Sequence, residues 1–186
     1  MSIPPVRRAV LVALLSLALP STRVVAGEGR APIPPADVPA ALALPTDEAP
    51  FLKLQARGTQ DYECRPAKDA PKRNEWVLVA PEAALFDEGG KQVGKHYAGP
   101  TWESTQDGSK VVGAVKAKAE APDPTAVPWL LLGATSTSGR GALANTRSVQ
   151  RVDTHGGKPP PGDCKPGEVR KVPYTATYYF SRAKAP

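Results

Sequence analysis

The chain has 186 residues, with 24 Lys and Arg against 18 Asp and Glu, a formal net charge of +6. Three of the basic residues, Arg7, Arg8 and Arg23, fall within the first 26 positions, which hold no acidic residue, so the rest carries 21 against 18, or +3. That is ordinary surface charge and gives no electrostatic case for a nucleic-acid partner.

The first element is a leader. Arg7 and Arg8 precede an apolar run, Ala9 to Leu19, which Pro20 and Ser21 break. Val24-Val25-Ala26 then places small residues at the −3 and −1 positions of a cleavage site before Gly27. This is the layout of a signal peptide over residues 1–26. Eleven residues rise only ~16 Å as a helix against a hydrocarbon core of ~30 Å, so the run is too short to anchor the chain across a membrane. The residues flanking Arg7-Arg8 fit a twin-arginine route poorly, and no cysteine stands near the cleavage bond to carry a lipid. The expectation is export, to a periplasm or out of the cell, with no membrane span once the leader is removed.

Residues 27–50 hold six prolines among Ala and Leu and read as a Pro/Ala-rich tether or an edge segment laid on the domain. Within it, Ala40 to Leu44 suits a short helical turn or an extended strip that docks its leucines. From Phe51 to the end (residues 51–186) the texture is that of a single β-rich domain. Candidate strands are 51–55, 58–64 and 76–80, then 84–87 and 93–98 flanking the turn Glu88-Gly89-Gly90. Segments 101–103 and 110–118 flank a second turn, Gln106-Asp107-Gly108-Ser109, and 128–134, 148–154 and 172–180 complete the set. Lys116-Ala117-Lys118, the nearest approach to a basic patch, reads as a solvated strand edge or loop. In the last strand, alternation puts Tyr174, Ala176, Tyr178 and Phe180 on one inward face and leaves Tyr179 outward. No window of twelve or more residues has helical periodicity, so the fold class is all-β, an antiparallel sandwich or barrel.

Cys64 and Cys164 are the two cysteines. An even pair in an exported chain is expected as a disulfide. His96 and His155 do not stand in CxxC or HxxxH spacing with anything, so neither a metal site nor a cofactor is expected.

In this order, several blocks resemble a known family. They include Gly58-Thr59-Gln60 with Tyr62 and Cys64, Ala80-Pro81-Glu82-Ala83, and Lys95-His96-Tyr97-Ala98-Gly99-Pro100-Thr101-Trp102. Pro128-Trp129 with three leucines, Gln150-Arg151-Val152, and Val172-Pro173-Tyr174 through Phe180 follow. The pattern is similar to exported proteins classed as domain of unknown function 3455, over roughly residues 50–181. The resemblance implies a secreted domain and supplies no reaction, ligand or catalytic residue.

The candidate binding residues are His96, Tyr97, Trp102 and Glu82. A histidine near a Gly-Pro turn can act as base, donor or ligand, or can bond the loop backbone and fix the turn. Trp102 and Tyr97 offer flat apolar area with a polar handle, suited to stacking on a sugar ring or another planar ligand, or simply to packing in a core. Ser109, His96 and Asp107 can be written as a triad, but Asp107-Gly108-Ser109 is first a turn sequence and no nucleophile elbow is present. The reading is a non-enzymatic binding or envelope/extracellular interaction module with a shallow site for a small molecule or glycan. One alternative is a hydrolase using His96 with Glu82, Glu103 or Asp107; another is a purely structural stress or wall protein.

Overall fold

The computed structural model describes residues 31–185; the leader over residues 1–26 and its cleavage bond lie outside them. One short 3-10 turn (Ala40–Leu42) precedes eight strands. They are β1 (Glu48–Ala67), β2 (Ala70–Phe86), β3 (Gln92–Tyr97), β4 (Thr101–Ser104), β5 (Lys110–Ala119), β6 (Trp129–Ser138), β7 (Ser148–Gly156) and β8 (Val169–Ala183). Each pairs antiparallel with the next, and β8 returns to β1 and closes the ring. Of the sandwich and the barrel, the barrel is the one formed.

Four expected strands merge into two. Segments 51–55 and 58–64 are parts of β1, and segments 76–80 and 84–86 are parts of β2, with Asp87 just beyond its end. Gly58 looks like punctuation but sits inside β1, opposite Ala83. A Cβ there would fall 2.0 Å from the Glu82 carbonyl oxygen and 2.5 Å from Ala83 Cα, so the two backbones come too close for any side chain. Pro81 likewise fails to end β2. It lies where β2 pairs with β1 alone, since β3 covers β2 only from Ala83 to Phe86, and a strand edge tolerates proline. The two hairpin turns lie where expected, with Gly90 (φ 78°) and Gly108 (φ 71°) in the left-handed region.

Eight strands enclose a lumen about wide enough for side chains to fill. On β8, Tyr174, Ala176, Tyr178 and Phe180 all face inward and are buried, as alternation predicts. Small residues make room for large ones. Ala56 faces Ala176 across β1 and β8, and Gly113 lies where a Cβ would press on Trp102 Cζ3 at 3.2 Å. Into that space go Trp102, Tyr178 and Phe180, joined edge-to-face with Trp102 centroids 5.4 and 6.1 Å from the other two rings. Edge-to-face rings of this kind add to the burial of their own apolar area.

A second cluster lies on the outer face of β6, β7 and β8. Tyr179 points out of the barrel as expected, yet only 4% of it is exposed. Leu42, Trp129, Leu131 and Val152 pack with it, because the segment around the 3-10 turn lies over this face. The Gln150 amide nitrogen donates to the Leu42 carbonyl oxygen at 2.7 Å and ties the segment down. Of the two sequence readings of Ala40 to Leu44, the short turn is the one formed, over Ala40–Leu42, with Leu42 buried against the barrel. At the far end of β1, Cys64 and Cys164 form the disulfide. Cys64 N–H also donates to Glu168 O, and Gly167 N–H to Cys64 O, so the stretch before β8 is held along β1.

Candidate functional site

The β3–β4 hairpin carries most of the candidate residues and, by strand alternation, divides them between two faces. His96 and Trp102 are directly opposite each other and both point inward. Their rings stack at 4.5 Å with an interplanar angle of 12°, and Tyr178 meets the imidazole edge-on at 5.2 Å. His96 Nδ1 lies 2.8 Å from the Thr101 carbonyl oxygen. A carbonyl only accepts, so Nδ1 carries the proton, and the bond clamps the hairpin across its Ala98-Gly99-Pro100 turn. Thr101 Oγ1 donates to Ala98 O at 2.9 Å and tightens the same turn. Burial pushes the imidazole pKa down from 6.5 to about 4; the Thr101 bond works the other way, and the Arg151 guanidinium adds a smaller push down. The ring is therefore neutral near pH 7.

Arg151 shares this interior. Its Nε and Nη2 donate to the Pro128 carbonyl oxygen at 3.1 and 2.8 Å. Gln60 Nε2 and the Tyr174 and Tyr178 hydroxyls are buried there without a hydrogen-bond partner among the described residues. Burial raises the pKa of both phenols, so they are protonated donors at any ordinary pH.

Tyr97 and Glu103 lie on the outer face. The Tyr97 hydroxyl donates to Glu103 Oε2 at 2.8 Å, which holds the Glu103 carboxyl below its usual range. Lys110 and Lys95 approach the same oxygen at 3.3 and 3.5 Å, and the Lys95 ammonium sits 5.5 Å from the Tyr97 ring centroid. Glu82, on the outer face of β2, accepts from Lys171 at 2.6 Å. Lys171 also reaches Asp61 at 3.2 Å, and these two acids, Glu82 first, raise its pKa. Thr59 Oγ1 donates to the same Asp61.

An open groove of about 660 Å³ runs between these groups, lined by Thr59, Glu82, Lys95, Tyr97, Lys171 and buried His96. Trp102 is absent from it, being 1% exposed in the core. Thr59, Lys95 and Lys171 were not singled out by sequence. They meet because β8 pairs with β1 and β1 with β2, a long-range pairing that carries no local signal. A smaller cavity of about 190 Å³ opens at the other end of the β3–β4 hairpin, lined chiefly by Leu52, Leu54, Val93, Glu103 and Leu143.

The Ser109, His96 and Asp107 set does not assemble. His96 lies opposite Trp102, while Asp107 and Ser109 form the turn beyond the far end of β4. There Asp107 Oδ1 accepts from Ser109 N–H and Oγ, and Oδ2 accepts from Ala142 N–H, which carries the Asp107 pKa down to about 2. Ser109 Oγ in turn accepts from Leu143 N–H at 3.0 Å. The pair fastens the loop between β6 and β7 to this turn. His155 is 72% exposed, near Asp123 at 3.7 Å. Among the described residues, no three His, Cys, Asp or Glu side chains converge as a metal site.

The fold and groove define a disulfide-closed, eight-stranded antiparallel barrel domain with a mixed-charge recess on its outer wall. The chain belongs to the family described as "Protein of unknown function (DUF3455)", which matches residues 45–182. No curated protein and no solved structure matches it.

Proposed function

We propose that this is a non-enzymatic exported binding module, acting in a periplasm or outside the cell, whose outer groove takes a small polar molecule or a glycan. The single observation that carries the reading is the groove itself. It sets an exposed acid–base pair, Glu82 and Lys171, across from an aromatic ring whose hydroxyl is already oriented by Glu103. Hydroxyl-rich ligands suit such a surface, because charged groups offer both donors and acceptors while the Tyr97 ring supplies flat apolar area. The hydrolase alternative has less support. His96 is neutral and bonded to Thr101, and Glu82, Glu103 and Asp107 are each engaged with other partners. A purely structural stress or wall module is favoured by one observation, the stacking of His96 in the core rather than at a surface.

The test is a thermal-shift screen of glycans and small polar metabolites against the protein and its Tyr97→Ala and Lys171→Ala variants. At least one compound raises the unfolding temperature, and both substitutions abolish that rise while leaving the unliganded temperature nearly unchanged. A panel without a single shift rejects the binding reading.

A further inference from the structure

The turns after β2 and β4 and the loop after β6 gather at one end of the barrel. Beneath them lies the cavity of about 190 Å³, which shares no lining residue with the outer groove. Leu52 and Leu54 of β1, Val93 of β3 and Leu143 of the 139–147 loop supply its apolar wall. Leu54 and Leu143 are buried in the lumen cluster, and Leu52 and Val93 pack against it. Val93 reaches that side because β3 starts with a bulge. The pairing steps from Leu85–Gly94 to Phe86–Gln92 and leaves Val93 without an opposite residue. Bulges at a barrel rim re-aim side chains in this way.

A void closes only as far as its walls can move, and here the roof is hung from a neighbouring turn. Ala142 N–H donates to Asp107 Oδ2 at 2.9 Å, and Leu143 N–H donates to Ser109 Oγ at 3.0 Å. Gly141 passes so near the Asp107 carboxyl that no Cβ fits between them. The loop is thus fixed by the β4–β5 turn, not by filling the space under it. Barrel mouths are a common place for small-molecule sites. An aliphatic cavity of about 150 Å³ stays dry and takes benzene, so this one has room for a single ring with a short substituent. Its two acids are engaged elsewhere: Asp87 Oδ1 accepts from Lys91 N–H, and Glu103 Oε2 accepts from the Tyr97 hydroxyl. Among the described residues no Lys, Arg or His lines it, so an anion finds no counter-charge. We propose that this mouth is a second binding site, separate from the outer groove, for a neutral and largely apolar molecule of one ring.

The experiment is titration of the intact protein with toluene, benzyl alcohol and benzoate, followed through its backbone amide NMR signals. Toluene and benzyl alcohol give saturable shifts centred on Leu54, Val93 and Leu143, and benzoate at the same concentration gives none. Val93→Phe fills the cavity and weakens binding of both neutral probes at least about tenfold. Lys171→Ala, in the outer groove, leaves it unchanged, so this site and the groove stand or fall separately. Leu52→Ala, at a partly exposed position, widens the cavity and admits the two-ring probe 2-naphthol, which the parent rejects. No saturable shift with either neutral probe overturns the inference. So does benzoate bound as tightly as benzyl alcohol, or binding that a folded Val93→Phe variant leaves intact. Where Val93→Phe fails to fold, Leu52→Ala decides, and a widened cavity that still rejects 2-naphthol overturns the inference as well.

Discussion

The β1–β2 hairpin is held in two different ways along its length. Within the barrel, around Ala56 and Leu85, both strands have neighbours on either side and pack against the lumen, where these residues are 1% and 0% exposed. Farther out, β2 loses its second neighbour, and Leu78 and Val79 on it stand half in solvent. Tyr62 and Cys64 on β1 stay buried there because other things reach them. The Tyr62 hydroxyl donates to Gly157 O at 2.7 Å, the disulfide joins Cys64 to Cys164, and Asn74 Nδ2 donates to Cys164 O at 3.2 Å. One sheet thus shifts from packing to a covalent and polar clamp where its apolar supply runs out.

Three measurements break or sharpen that contrast. The largest effect belongs to the lumen. Trp102→Ala leaves a hole beneath His96, Tyr178 and Phe180 and costs about 4 kcal/mol, read from urea unfolding as a loss shared by every part of the barrel. The second effect is set by pH. The His96 imidazole is 6.5 when unfolded and about 4 when folded, so above pH 6.5 both states are neutral and stability is complete. As pH falls from 6.5 toward 4 only the unfolded chain takes up this proton, and stability declines by on the order of 3 kcal/mol across the window. A His96→Gln variant, compared with the parent at each pH, has a shallower decline; equal slopes would remove His96 from the account. The smallest belongs to the arm, the outer part of the β1–β2 hairpin that β3 does not reach. Replacing both cysteines by alanine costs about 2 kcal/mol globally, at the low end for a long loop because the arm can loosen before the barrel opens. Hydrogen exchange should then speed up around residues 62–66 and 74–78 while β8 stays protected.

The same contrast decides what was legible in the sequence. Local patterns found the strands and both turns, and alternation assigned the inward set on β8 correctly. Alternation applied to the β3–β4 hairpin would also have separated His96 from Tyr97, since neighbours on a strand face opposite ways. The divisions expected at residues 56–57 and 81–83 do not form, because no local pattern shows how closely β2 passes Gly58 or that the β2 edge at Pro81 is unpaired. Tyr179 is correctly outward but covered, and nothing near it in sequence announces Leu42, which lies 137 positions earlier. For the groove, Tyr97 and Glu82 were recognisable as residue types, but Lys171 and Thr59 join them only through the ring.

That ring also sets an order in time. Its closing seam runs from Glu63 opposite Val169 to Glu48 opposite Ala183, joining residues 106 to 135 positions apart. Contacts that distant must draw together almost the whole chain before they give anything back, which makes folding slow for the size of the domain. A chain delivered from its N-terminus keeps one edge of β1 waiting until residues 169–183 arrive, and the barrel becomes a barrel only with its last strand.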